Sequence, residues 1–278
     1  MKNKTVTIVG LGLIGGSIAR AIKLHVKNLY AIDKDEEVIR FAVSHGIIDV
    51  PDTNPLKISD IVILCIYPRD AIEFIRENEK VFKKGCILTD AVGVKTPLME
   101  QYNKMHPSSF TYIGGHPMAG REVSGFINST DNMFEGANFI ITASDDATEE
   151  QIQTIERLAG AMGCRTITRT TAREHDKIIA YTSQLPHIIA TAMCDTPLLV
   201  KHKNFTGGSF EDVTRVAKIN ELLWSELFIE NGEFICEEIS RFTSSLEKIK
   251  HAIEKKDEKL LCEIMRKVRL DKEMVDNA

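Results

Sequence analysis

Hydrophobic positions along this chain fall into two regimes. Up to about residue 170 they come as short apolar runs: "KTVTIV" (Lys4 to Val9), "NLYAID" (Asn28 to Asp33), "DIVILCI" (Asp60 to Ile66), "GCILTDAV" (Gly85 to Val92), "FTYIGG" (Phe110 to Gly115), "NFIIT" (Asn138 to Thr142) and "CRTITR" (Cys164 to Arg169). Compact, β-branched runs of this kind predict strands, several of them buried on both faces. Most are separated by stretches with helical spacing, as in Ile14, Ile18, Ala21 and Ile22 between Leu13 and Leu24. Alternating strands and helices predict an α/β fold with a mostly parallel, doubly wound sheet. Beyond Thr170 the strand signals stop, and Phe234, Ile235, Ile239, Phe242, Leu246, Ile249 and Ile253 recur at helical intervals. Residues 1–170 are therefore expected to form the sheet domain and residues 171–278 an all-helical one.

Composition narrows the function classes. The 278 residues are 43% hydrophobic and 27% charged, enough to bury a sizeable core. The net charge of −5 is spread through interspersed acids and bases, so no basic stripe suits nucleic acid or an anionic membrane surface. No stretch reaches the ~18 apolar residues of a membrane span. Cys65, Cys86, Cys164, Cys194, Cys236 and Cys262 are scattered and form no C-x-x-C pair, as in a reduced, cytoplasmic protein. No metal site is expected. Small-molecule chemistry is the remaining default.

The first strand runs into "GLGLIGG", where Gly10, Gly12 and Gly15 match G-x-G-x-x-G. In that motif the first glycine permits a tight turn and the second lets a pyrophosphate approach the backbone. The third lets helix and strand pack closely. Alone the motif is weak, but here it follows a predicted strand, opens a predicted helix and is followed by Asp33 at the end of the second strand. The context predicts a Rossmann-type dinucleotide site, with Leu13 and Ile14 in the turn and Ile66 at the end of the third strand. A carboxylate at Asp33 would accept from ribose hydroxyls and repel a 2′-phosphate, which favours NAD over NADP, although Lys34 beside it argues the other way.

Three further stretches carry chemistry: "GGHPMAGREVSG" (Gly114 to Gly125), "AREHDKIIAYTSQLPH" (Ala172 to His187) and "TGGSFEDVTRVAKINELLW" (Thr206 to Trp224). His116 sits in a segment with neither helical nor strand periodicity and reads as a loop residue. Taken with the glycine turn, these stretches resemble the prephenate and arogenate dehydrogenases of tyrosine biosynthesis, and the resemblance spans nearly the whole chain. It implies that His116 is the catalytic histidine and that Arg215 grips a substrate carboxylate. It also implies that His187, Ser183 and Gly208 belong to the substrate site, and that Glu122 and Asp176 are supporting acids near the domain junction. A homodimer paired through the helical domain is implied too, with Thr206 to Phe210 able to approach the partner's site. The apolar run Leu222, Leu223, Trp224, Leu227 and Phe228 is a candidate for that interface.

The chemistry fits these residue types. Prephenate is a dicarboxylate with a ring alcohol, and a guanidinium suits a bidentate carboxylate contact. A neutral histidine, ordinarily titrating near roughly 6.5, can accept the alcohol proton as hydride leaves for the nicotinamide. Oxidative decarboxylation of prephenate is the expected reaction, with arogenate as the alternative substrate. One residue departs from the family pattern: "DAVGVK" has Gly93 where the family usually has serine. Thr89, Thr96 or water would have to replace that hydroxyl, and its loss keeps open a non-catalytic, NAD-binding regulatory relative. The chain is expected to carry no separate regulatory domain or mutase module.

Overall fold

A computed structural model describes residues 1–201 and 203–277 of the chain. They form two compact units, Met1–Asn231 and the residues from Gly232 onward. The first is built on a seven-stranded sheet: β1 (Thr5–Val9), β2 (Asn28–Ile32), β3 (Ile61–Leu64), β4 (Cys86–Asp90), β5 (Phe110–Pro117), β6 (Asn138–Ala143) and β7 (Thr166–Arg169). Their spatial order is β2-β1-β3-β4-β5-β6-β7. All neighbours run parallel except β5 and β6. Every apolar run of the amino-terminal half is thus a strand, and the sheet is mostly parallel as the alternation of strands and helices predicted.

The absence of alternation in these strands has a direct cause. In β3, Ile61 and Ile63 face one core cluster while Val62 and Leu64 face another, so both sides of the strand are out of water. One cluster includes Ile18, Ala19 and Ile22 of α1 (Leu13–Ile22), Ala42 of α2 (Glu36–Ser44), and Ile155, Leu158 and Ala159 of α5 (Glu149–Ala161). The other receives Ala71 and Ile75 of α3 (Pro68–Asn78) and Leu98 and Tyr102 of α4 (Thr96–Met105). Local signals mark the helix starts. The Asp35 carboxylate accepts from the backbone of Glu37 and Val38 to cap α2, and Thr148 and Gln151 form a reciprocal capping box on α5.

The same unit includes α6 (Ala172–Ile179), α7 (Leu185–Cys194), α8 (Pro197–Lys201), α9 (Gly208–Thr214) and α10 (Glu221–Glu230). Between α6 and α7, Ala180–Gln184 is wound as a π-helical turn. Pro186 follows in the first turn of α7, has no N–H to offer the carbonyl four residues back and crowds it, so the helix widens there. The second unit has α11 (Gly232–Glu254) and α12 (Glu258–Asp276). Lys256, at φ 55°, turns the chain between them, and Asp257 caps α12 through Leu260 N at 2.9 Å. The seven apolar positions of the helical pattern all lie on α11.

The turn after β1 depends on two glycines. Gly10 has φ +90°, and a Cβ on Gly15 would lie 1.9 Å from the Gly10 carbonyl oxygen, an overlap that no side-chain movement relieves. Gly15→Ala should therefore cost about 3 kcal/mol or more in folding stability. Urea denaturation of the variant measures it, and an unchanged midpoint would contradict this packing.

Candidate active site

The carboxyl ends of β1, β3, β4 and β5 meet a cleft of about 1060 Å³, lined among others by Gly12, Leu13, Ile14, Ile66, His116, Ser183, His187, Arg215 and Trp224. In an open sheet this is where ligands bind, near the point where the chain order reverses on either side of β1. At the glycine turn, a Cβ on Gly12 would meet nothing within 4 Å, so the space beside this backbone is open. Gly12 caps α1 with no side-chain bond, leaving the first helical N–H groups for a phosphate. The Asp33 carboxylate accepts from Leu11 N at 2.6 Å and from Asp35 N at 2.8 Å. It therefore holds the turn in shape and has lone pairs left for ribose hydroxyls. The residues present fit a dinucleotide.

His116 is not on a loop. β5 continues through it to Pro117, and His116 pairs with Ile140 of β6, which gives it a rigid mount. The strand read from sequence stops at Gly115 because His116 and Pro117 carry no apolar signal, whereas β5 goes two residues further. Gly114 and Gly115 admit close neighbours: a Cβ on Gly115 would lie 2.8 Å from the Asp90 backbone oxygen. Asp90 is buried beneath the strand with Lys95, and the two form an ion pair with neither side chain exposed. The Asp90 carboxylate also accepts from Tyr112 Oη at 2.9 Å, Val92 N at 2.9 Å and Gly115 N at 3.2 Å.

Behind His116 runs a polar chain. Its Nδ1 lies 2.8 Å from Nε2 of His175, whose Nδ1 lies 2.7 Å from Oδ1 of Asp176. Asp176 in turn accepts from Lys95 N at 2.8 Å and Thr96 N at 2.7 Å, which fastens α6 to the start of α4. Burial, the neighbouring His175 and the Lys95 charge hold the His116 pKa well below the ordinary histidine value expected from sequence. His175 is also lowered, chiefly by burial. His175, Lys95 and Asp90 were not singled out in the sequence. The adjacent "HD" in "EHDK" was the available signal, and only the fold shows where it points.

Across the cleft, the π turn presents Ser183, whose carbonyl lies 2.8 Å from Nδ1 of His187. Trp224 stacks on the His187 ring, centroids 3.7 Å apart, and also packs against the core cluster of the sheet. Asn220 caps α10 and donates to Tyr67 Oη at 2.8 Å, tying the α9–α10 connection to the β3–α3 loop. Arg215 pairs with Glu122, and both line the cleft. Gly208, at the start of α9, is exposed and lies outside the cleft lining of its own chain. Asp176 does not line the cleft and connects to it through His175 and then His116.

Gly93 does line the cleft, and a Cβ there would meet the Leu227 side chain at 3.1 Å. The place of the missing side chain is thus bordered by hydrocarbon. Neither Thr89 nor Thr96 is among the lining residues, and the Thr89 hydroxyl is buried with no hydrogen-bond partner among the described residues. Neither threonine supplies the hydroxyl expected at the cleft.

Comparison with known proteins agrees with this geometry. Residues 18–168 match the family model for the nucleotide-binding domain of prephenate dehydrogenase, and residues 171–267 match that for its dimerization domain. The chain belongs to the prephenate dehydrogenase family. The prephenate dehydrogenase of Lactococcus lactis subsp. cremoris is 32% identical over 91% of this chain and 72% of its own length. The cyclohexadienyl dehydrogenase of Zymomonas mobilis is 29% identical over 94% of this chain and 92% of its own. Among solved structures, Aquifex aeolicus prephenate dehydrogenase in complex with hydroxyphenyl propionate and NAD+ has a TM-score of 0.87 at 29% identity, covering 99% of each chain. The nucleotide-binding match begins just after the glycine turn, so the turn is an independent observation. Among the described residues of this family member, no helix is long and apolar enough to cross a membrane, and no group of three or more His, Cys, Asp or Glu side chains is placed to hold a metal ion.

One buried and two half-buried histidines have a consequence for stability. His116, His175 and His187 are all lowered, each mainly by burial. Once unfolded they regain a value near roughly 6.5, so below that pH the unfolded chain binds more protons than the folded one. Their contribution to stability is full above that value and is lost as pH falls towards and through the lowered folded values. The urea midpoint should decline as pH is lowered from about 6.5; a flat profile down to pH 5 would mean that these rings are not held neutral.

Proposed function

We propose that this chain is an NAD-dependent oxidoreductase that decarboxylates prephenate oxidatively to 4-hydroxyphenylpyruvate. One observation carries the reading above all: a histidine held neutral on a rigid strand end shares a cleft with a dinucleotide turn and an arginine. Gly12, Leu13, Ile14 and Ile66 lie along the cofactor side, with Gly10 and Gly15 shaping the turn and Asp33 at the ribose. NAD bound there supplies the acceptor for the hydride that leaves the ring carbon bearing the hydroxyl. The His116 imidazole takes the proton of that hydroxyl. After the ring carboxylate leaves as carbon dioxide, its electron pair completes the aromatic ring, and His116 returns the proton to the phenolic oxygen. No proton is gained or lost overall.

Arg215 binds a substrate carboxylate as a planar fork, exchanging its bond to Glu122 for one to the ligand. His187, held by Ser183 and the Trp224 face, lines the opposite wall. The family matches support a cofactor domain over residues 1–170 and a substrate and dimer domain over residues 171–278, with α6–α10 of the latter packed in the same compact unit as the sheet. Six cysteines without a disulfide suit the cytoplasm.

Purified protein given prephenate and NAD should produce NADH, and faster than with arogenate or with NADP. Faster turnover of arogenate would reassign the substrate, and no turnover of either would favour the regulatory reading that Gly93 keeps open. His116→Asn should keep NAD binding while kcat falls by about 10²–10⁴. Because burial and Lys95 lower its pKa, His116 stays neutral further into acid, so the acid limb of kcat/KM should lie below roughly pH 6.5. An unchanged kcat in the variant removes His116 from the mechanism.

The assembly we propose is a homodimer through the helical half. Leu223, Trp224 and Leu227 pack against the sheet core of their own unit, whereas Leu222 is 66% exposed and Phe205 87%. On α11 and α12, Leu246, Ile253, Val268 and Met274 are also exposed. Surface of this kind is what an obligate interface, commonly above roughly 2,000 Å², would cover. Sedimentation at micromolar concentration should give twice 31.2 kDa; a species at 31.2 kDa would refute the dimer.

A further inference from the structure

Resting on the reading of His116 as proton acceptor, we infer that His175 is a positioning residue that fixes the His116 tautomer, with the proton on Nδ1 and the lone pair on Nε2. With His175 neutral, as its burial favours, the donor and acceptor pattern of the chain leaves one arrangement. Asp176 is anchored at its far end by two backbone donors, Lys95 N on Oδ1 at 2.8 Å and Thr96 N on Oδ2 at 2.7 Å. A carboxylate facing backbone N–H groups on both oxygens has no proton to give. His175 Nδ1, 2.7 Å from Oδ1, must therefore donate to it. A neutral His175 then has only a lone pair on Nε2, and His116 Nδ1, 2.8 Å away, must donate in turn.

The surroundings reinforce this direction. His175 and Asp176 are each only 1% exposed, so water does not compete for their bonds. The other charged groups packed here are Lys95 and Asp90, which are paired with each other. Asn231 donates to the Asp176 backbone oxygen at 2.8 Å and leaves the carboxylate alone. Burial would push the Asp176 pKa up, but hydrogen bonds from His175 and Thr96 bring it below the usual carboxylate value. An unconstrained imidazole in water favours the proton on Nε2, the tautomer in which the ring nitrogen away from His175 has no lone pair. His175 reverses that preference. When His116 becomes cationic it still donates through Nδ1, and Asp176 steadies the charge through the intervening ring. Because the chain ends in the interior, it steadies charge and does not conduct a proton to solvent.

The test is nitrogen NMR on full-length protein with NAD bound and 15N-labelled histidine, with the His116 signals assigned by their loss in His116→Asn. At neutral pH the wild-type shifts should show Nδ1 protonated and Nε2 bare. In His175→Phe, which keeps the bulk and removes the acceptor, the Nε2-protonated form should appear, with kcat down at least about tenfold and KM for NAD unchanged. His175→Gln, whose amide oxygen can still accept from His116 Nδ1, should recover most of the lost kcat. A wild-type His116 protonated on Nε2 overturns the inference, and so does a folded His175→Phe with wild-type kcat and tautomer. If His175→Phe fails to fold, the wild-type spectrum and His175→Gln decide. Full activity in His116→Asn would instead sink the proton-acceptor reading, and this inference with it.

Discussion

The site depends on one buried carboxylate, that of Asp90. Lys95 Nζ, Tyr112 Oη and the backbone N–H groups of Val92 and Gly115 all converge on it, so a single group gathers the end of β4, the loop after it and the middle of β5. Removing one partner of a buried pair typically costs about 3–5 kcal/mol, because the other charge stays uncompensated in a low-dielectric interior. The stakes here are geometric as well as energetic. Lys95 is held by its side chain to Asp90 while its backbone N–H is given to Asp176, so the same residue locks the floor of the sheet to α6. The two histidines are suspended between these anchors, one on β5 and one on α6.

Holding the site this way explains why hydroxyl groups contribute little at the β4–α4 loop. Gly93 leaves that loop without a side chain, and Leu227 of α10 borders the space a side chain would enter. His116 takes its orientation from a histidine on another element, so the loop is free to be apolar. Leu227 and Trp224 both line the cleft and give this part of its wall a hydrocarbon surface.

Much of the fold was legible in the sequence because it follows from local rules. β-branched runs buried on both faces give strands, and a glycine turn between strand and helix gives the dinucleotide site. The helical spacing of Phe234 through Ile253 corresponds to one helix. What could not be read were pairings between distant segments. Asp90 and Lys95 bracket the "DAVGVK" stretch noticed for its glycine, and nothing local says that both are buried. His175 stands beside an aspartate that was noticed, but its partner is 59 residues away. His116 was found through its motif while its setting was misread, since the strand predicted over Phe110 to Gly115 runs on through His116 to Pro117, where its partner is the antiparallel β6 that comes later in the chain.

The π turn at Ala180–Gln184 sets the rotational phase of everything after it on that helix. Each residue of an α-helix advances the side-chain direction by about 100°, and a π turn accommodates one more residue than the regular spiral would. His187, which follows the turn, takes its direction into the cleft from that extra residue. Deleting Tyr181 or Thr182, neither of which lines the cleft, would let the helix close into a regular spiral and carry His187 out of the cleft. For this helix, therefore, a change of chain length by one residue is a larger perturbation than a change of residue type.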